Sequence, residues 1–203
     1  MTQENTSSLT HSTPLHTREG QGGGSSLHPL HLFRFCPKCG SPRFVEHNSK
    51  SKHCEDCGFT YYFNPSAATV ALIENERGEW CVVRRAKEPA KGTLDLPGGF
   101  SDCFETSEDG VRREVREETG LEVSTVKFLF SIPNLYEYSG FQVHTIDMFY
   151  RCRVYGDAFR AHAADDAADL FWIHPSRLNF EDFGLLSIRK GVERLLKEGG
   201  FLK

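Results

Sequence analysis

The sequence predicts an α/β chain in which a sandwich of strands and two helices follows a small cysteine-rich module. Three observations lead there. After Pro65, strand-like runs are interrupted twice by stretches with helical spacing, the pattern of strands and helices sharing one core. Before it, four of the seven cysteines fall in the short motifs CPKC and CEDC. Throughout, 38% hydrophobic residues and a formal charge of −4 allow one sizeable core and argue against the basic surface of a duplex-DNA binder. No apolar run reaches the roughly eighteen residues of a membrane span, and the N-terminus shows no apolar secretory stretch. A cytoplasmic location is expected.

Composition divides the 203 residues into three parts. Residues 1–31 are rich in Ser, Thr, Gln, His and Gly without periodicity, so a disordered tail is expected. His11, His16, His28 and His31 in it read as solvated rather than as ligands. Residues 32–63 hold Cys36 and Cys39, then Cys54 and Cys57, with fourteen residues between the pairs. Two such knuckles can surround one Zn²⁺ with four thiolates. A redox site needs one CxxC rather than two, and an odd cysteine total without an export signal disfavours disulfides. Gly40 and Gly58 follow the knuckles and let the chain turn tightly. So few residues cannot form a stable apolar core, so the metal would supply the folding energy. The module resembles a zinc ribbon. Arg34, Lys38, Arg43, Lys50 and Lys52 allow it to bind nucleic acid, but Glu46, Glu55, Asp56 and the thiolate charge favour a structural or docking role. Cys81, Cys103 and Cys152 are isolated and read as ordinary residues.

From residue 64 to 203 the elements follow in order. AATVALIE (67–74) and WCVVRRA (80–86) read as two strands joined by a turn. LDLPGGF (94–100) is a short strand breaking into a glycine loop. Residues 106–119 are helical, capped by Thr106 or Ser107 and ended by Gly120. STVKFLFSI (124–132), FQVHTIDMFYRCRV (141–154) and LFWI (170–173) are strands. Residues 181–197 place Phe183, Leu186, Val192, Leu195 and Leu196 near helical spacing, which packs a second helix on the sheet.

The first helix carries the chemistry. At about 100° per residue, Glu114, Glu117 and Glu118 share one sector of its surface. Like charges so placed repel, so the sector is either a cation site or a solvated acidic face. Val111 and Val115 lie beside that sector and face the core, whereas Arg112 and Arg116 point away. Arg113, one turn before Glu117, can brace it. Three carboxylates beside a glycine loop suit hard, oxygen-preferring ions, chiefly Mg²⁺ or Mn²⁺.

From Gly99 the chain reads G-x5-E-x7-R-E-V-x-E-E-x-G-L, with Glu105, Arg113, Glu114, Glu117, Glu118, Gly120 and Leu121 in place. A chance match is on the order of 10⁻⁹ per start point. This stretch resembles the complete signature of the Nudix hydrolase family, and the resemblance covers about residues 64–200. It implies an α/β/α sandwich that hydrolyses a nucleoside diphosphate linked to another moiety, first of all ADP-ribose. It also implies Glu114 and Glu118 as main metal ligands, completed by Glu117 and the Gly99 carbonyl, with Arg113 orienting them. Glu105 is left between a structural bond and direct coordination. In many relatives the general base is a loop carboxylate outside the signature, which here points to Asp165 and Asp166. Arg84 and Arg85 end a strand before the glycine loop, and one of them could grip phosphate, since strand neighbours face opposite ways. Ribbon plus signature is also similar to the NADH pyrophosphatase branch, whose SQPWPFP-type motif is only partly kept in SIPNLYEYSG (131–140). Tyr136 and Tyr138 there are candidates for stacking on a base. The expected partner is a small nucleotide derivative, with no membrane. A homodimer is allowed, and the competing class is a regulator whose ribbon binds nucleic acid while the following domain only senses a nucleotide.

Overall fold

The computed structural model describes residues 28–164 and 167–202. Two regions of strand meet in it. The first is a three-stranded antiparallel sheet, β1 (Phe44–Asn48), β2 (Ser51–Cys54) and β3 (Thr60–Tyr62), in that order. Its core is little more than Cys36, Phe44 and Cys54, with Cys57 and Phe59 packed against them. Residues 28–31 also belong here rather than to the tail. Leu30 is fully buried, and the His28 ring donates to the Asn48 carbonyl at 2.8 Å. The remainder of the tail, with His11 and His16, lies outside the described residues.

The second region forms the sandwich. One sheet has the order β7 (Gly98–Phe100), β4 (Ser66–Ile73), β9 (Phe141–Val154), β8 (Val123–Tyr138), with β4 and β9 parallel and the other pairs antiparallel. The other has the order β10 (Ala167–Ile173), β5 (Trp80–Arg85), β6 (Leu94–Asp95). The stretch read as two strands joined by a turn therefore serves two sheets. Among the described residues the ends of β4 and β5 meet at an isolated bridge, Glu74 to Trp80. LDLPGGF is likewise shared, Pro97 separating β6 in one sheet from β7 in the other.

Alternation along the central strands sets the layers. Val70 and Leu72 of β4 and Phe149 of β9 join Val192, Leu195 and Leu196 of α2 (Leu186–Glu198) in one core cluster. Ala71 and Ile73 of β4 and Tyr150 and Cys152 of β9 join Val111 and Val115 of α1 (Ser107–Thr119) in another. Successive residues of one strand thus meet opposite helices, which makes an α/β/α sandwich. Gly191 lets α2 approach closely, since a Cβ there would lie 2.3 Å from the Phe149 ring. Among the described residues no helix is long and apolar enough to cross a membrane.

The small sheet docks by aromatic rings on the β8–β9 hairpin. Phe33 and Phe63 stand at an angle to Phe141, with ring centroids 5.8 and 5.6 Å away, and Phe63 also meets His144 edge-on at 5.5 Å. Two of the basic residues that could have met nucleic acid are engaged internally: Arg43 pairs with Asp56, and the buried Lys52 donates to the Phe33 carbonyl at 2.8 Å.

Candidate metal centre and substrate cavity

Thr106 begins α1 by accepting from the Asp109 amide, and Gly120 ends it in a left-handed conformation, its N–H donating to the Arg116 carbonyl. Between these caps the helix aims its acidic sector at β7. The three glutamates differ in depth: Glu118 is buried, the Glu114 side chain nearly so, and the Glu117 side chain is 40% exposed. Glu118 Oε2 accepts the Gly98 N–H at 3.1 Å. Gly98 sits at φ 155°, and a Cβ there would lie 2.1 Å from the Thr69 carbonyl oxygen, so only glycine lets β7 lie against β4 at this point. At Gly99 the missing side chain is a space filled by Glu114, whose Oε1 would stand 2.6 Å from an added Cβ.

Arg113 is the hub of the cluster. Its guanidinium donates to both oxygens of Glu105 (2.7 and 3.2 Å), to Glu114 Oε1 (2.8 Å), to Glu117 Oε2 (3.0 Å) and to the Phe100 carbonyl (3.0 Å). Glu105 is also held by the Asp102 N–H at 2.6 Å, so both of its oxygens accept hydrogen bonds. Hydrogen bonding to Arg113 keeps the Glu105 carboxyl below its usual range, and the Arg113 guanidinium is raised in turn, chiefly by Glu105. Burial raises the Glu114 carboxyl, and Arg113 offsets only part of that effect. Arg112 points elsewhere, donating to the Val123 carbonyl.

The glutamates open on a cavity of about 390 Å³ between the two sheets. A cation fits here on three counts. The donors are hard oxygens, the absent Gly99 side chain gives the Glu114 carboxylate its place against the strand, and Thr69, one of the residues around the cavity, has a buried Oγ1 without a hydrogen-bond partner. Arg85 and Tyr136 line the same cavity. Arg85 donates to the buried Asp95 at 2.6 Å, and the Tyr136 ring stands edge-on to Phe100 at 5.7 Å. Arg84 is not among the residues that line the cavity. Strand alternation turns it outward, where it donates to the Gly92 carbonyl, pairs with Asp169 and lies over Phe171. Tyr138, at the hairpin end, is 63% exposed and does not line the cavity. Asp165 and Asp166 lie outside the described residues. Sequence reasoning missed Asn134 and Asp147, which form a polar wall of the cavity. The signal was a carboxylate in the inward phase of an apolar strand, between Thr145 and Phe149.

The cysteines converge as their spacing requires. Sγ of Cys36 is 3.7 Å from that of Cys57, Cys39 is equally far from Cys54, and all four lie within 4.8 Å of one another. A tetrahedral ion with ~2.3 Å bonds separates its sulfurs by roughly 3.8 Å, so the set fits one zinc. Gly40 and Gly58 take positive φ and donate back to the Cys36 and Cys54 carbonyls. Among the described residues no other group of ligand atoms comes so close together. Cys81 and Cys152 are core residues whose thiols burial pushes upward, Cys152 to about 12, and Cys103 is exposed.

A sandwich with such a glutamate helix beside a glycine strand has the architecture of a Nudix hydrolase. A model of the NUDIX domain matches residues 64–194, and the chain belongs to that family. It is similar to the NAD-capped RNA hydrolase NudC of Chromobacterium violaceum, 35% identical over 102 residues, which cover 50% of this chain and 38% of that protein. It is also similar to the ADP-ribose pyrophosphatase of Methanocaldococcus jannaschii, 39% identical over 74 residues, covering 36% of this chain and 43% of that protein. The chain spans less than half the length of these two relatives. A Nudix hydrolase from Nitrosomonas europaea shares the fold with a TM-score of 0.64 at 20% identity, over 84% of this chain and 94% of that one.

Gly99→Ala tests the cradle. The end of Glu114 can move aside, so the melting temperature should hardly change. The displaced carboxylate should raise the Mg²⁺ concentration for half-maximal hydrolysis by about 10–100-fold, the scale for disturbing a ligand's support. An unchanged Mg²⁺ requirement would remove Glu114 from the metal set.

Proposed function

We propose that the chain hydrolyses the diphosphate of a nucleoside diphosphate linked to a second moiety, ADP-ribose first, and releases a nucleoside monophosphate. The observation that carries this reading is the convergence of Glu114, Glu117, Glu118 and the Gly98–Gly99 strand on one cavity that Arg85 and Tyr136 also line. Mg²⁺ or Mn²⁺ would neutralise the diphosphate and lower the pKa of the attacking water. Glu114 and Glu118 hold the ion, with Glu117 and the Gly99 carbonyl completing the set. Arg113, fixed by Glu105, keeps Glu114 and Glu117 aimed at it. Arg85 meets the phosphates and Tyr136 the base. Asp165 or Asp166 takes the water's proton, a role separated by Asn substitution at each. The residue before them is anchored at the helix, since the Ala164 N–H donates to the Glu118 carbonyl at 3.0 Å. Zinc in the four cysteines holds the ribbon, and the internal pairing of Arg43 and Lys52 supports docking rather than nucleic-acid binding.

A second reading, hydrolysis of NADH or an NAD-type dinucleotide, draws support from the NudC relatives. A nucleotide-sensing regulator is the weaker class, because a sensor has no use for all three glutamates. Side-by-side product analysis decides. AMP and ribose 5-phosphate should form from ADP-ribose with a higher kcat/KM than AMP from NADH. A tenfold preference for NADH, about 1.4 kcal/mol of transition-state discrimination, would move the chain to the dinucleotide class.

A further inference from the structure

Asp147 sits in the inward phase of β9 and is 5% exposed. An ionised carboxylate only accepts hydrogen bonds, and three donors converge on this one. Thr145 Oγ1 reaches Oδ1 at 2.6 Å, while the Ser187 hydroxyl and Asn134 Nδ2, at 3.4 Å, reach Oδ2. Ser187, fully buried in the first turn of α2, ties that helix to the sheet. Asn134 does something different. The two ends of an amide have the same shape, and the neighbour's chemistry decides which end faces it. Facing a carboxylate, Asn134 must present its NH₂, so Oδ1 turns away. No hydrogen-bond partner among the described residues takes that oxygen, and it is not one of the atoms sealed from solvent without a partner. Asn134 is otherwise buried and lines the cavity, which is the opening left to that oxygen.

The wall around it suits a flat heteroaromatic ring. Tyr136 lies two residues further along β8 and so on the same face, and Val70, Leu96 and Ile188 supply apolar sides. Building on the diphosphate reading of this cavity, we propose that Asn134 determines base specificity. Its Oδ1 accepts from the exocyclic amine of an adenine and repels the oxygen of a 6-oxopurine. Asp147 is the positioning residue that fixes the amide in this orientation.

Titration calorimetry of AMP and IMP against the full chain with Mg²⁺ tests this, because the ligands carry an amine or an oxygen at the same ring position. The wild type should bind AMP at least about tenfold more tightly, a modest share of what one hydrogen-bonding position can discriminate. Asn134→Leu removes the acceptor and should bring the two close to parity. Asp147→Asn lets Asn134 turn its NH₂ to the cavity, and should narrow the preference or reverse it. A merely structural Asp147 would weaken both ligands alike and leave their ratio unchanged. Equal binding by the wild type, no AMP binding at millimolar concentration, or a preference that survives Asn134→Leu overturns the proposal. If Asp147→Asn does not fold, Asn134→Leu decides alone. AMP-selective binding without diphosphate hydrolysis would uphold the base reading and overturn the hydrolase. Equal kcat/KM for ADP-ribose and its inosine analogue would do the reverse.

Discussion

Glu118→Gln is expected to lower turnover by about 10³-fold while the protein stays folded. Glu118 is the most deeply buried of the three glutamates, 7% exposed, and one of its oxygens is used by the Gly98 N–H. Glutamine keeps a carbonyl oxygen for that hydrogen bond and occupies the same volume, so the sheet edge is undisturbed. What it removes is a negative charge facing the ion. Metal stabilisation of the transition state is worth several kcal/mol, and losing ~4 kcal/mol of it corresponds to about 10³ in rate. The measurement is kcat at saturating substrate and ordinary Mg²⁺, with a melting curve alongside. Near wild-type turnover would show that the glutamates do not hold the catalytic ion.

The second large effect is expected at the cysteines. The purified chain should carry one zinc, and Cys54→Ser should release it. Cys54 is fully buried and its Sγ stands 3.7 Å from that of Cys39. Structural zinc binding is worth about 10–16 kcal/mol in small modules, more than a core built on Phe44 and Phe59 can replace. Amide exchange should become fast across β1, β2 and β3, while β4, β9 and the two helices stay protected. Absence of zinc in the wild type, with freely titratable thiols, would overturn the assignment.

What could be read from the sequence was local. The caps of α1, the angular sector shared by its glutamates and the paired cysteines depend on neighbours within a few turns of chain, and spacing carries that information. What could not be read depends on residues brought together from afar. Nothing near Asn134 indicates that Asp147 and Ser187 will meet it. Pro133 and Asn134 interrupt the strand pattern, which therefore ends at residue 132, although β8 continues to Tyr138. The turn after Ile73 looks like a hairpin because both flanking runs are apolar. Their division between two sheets follows from β4 pairing with β9 instead, a choice made far downstream. Arg84 and Arg85 fall between these cases: alternation allowed one into the cavity, and the sheet decided which.

The parallel pairing of β4 with β9 also orders events during synthesis. Ser66 has Thr145 as its partner, so the central sheet cannot close until most of the chain has been made. Until then β4 presents apolar residues on both faces and, even once β7 has covered one side, an unpaired edge where β9 belongs, the kind of segment that associates wrongly in partly made chains. The cysteine module draws its sheet and its four cysteines from residues 28–63, so with the proposed ion it would be complete on the ribosome while β4 still waits. The chain would then emerge with a folded head and an exposed strand directly behind it. Zinc supply would influence how that head is displayed, and chaperone demand should peak before β9 leaves the exit tunnel.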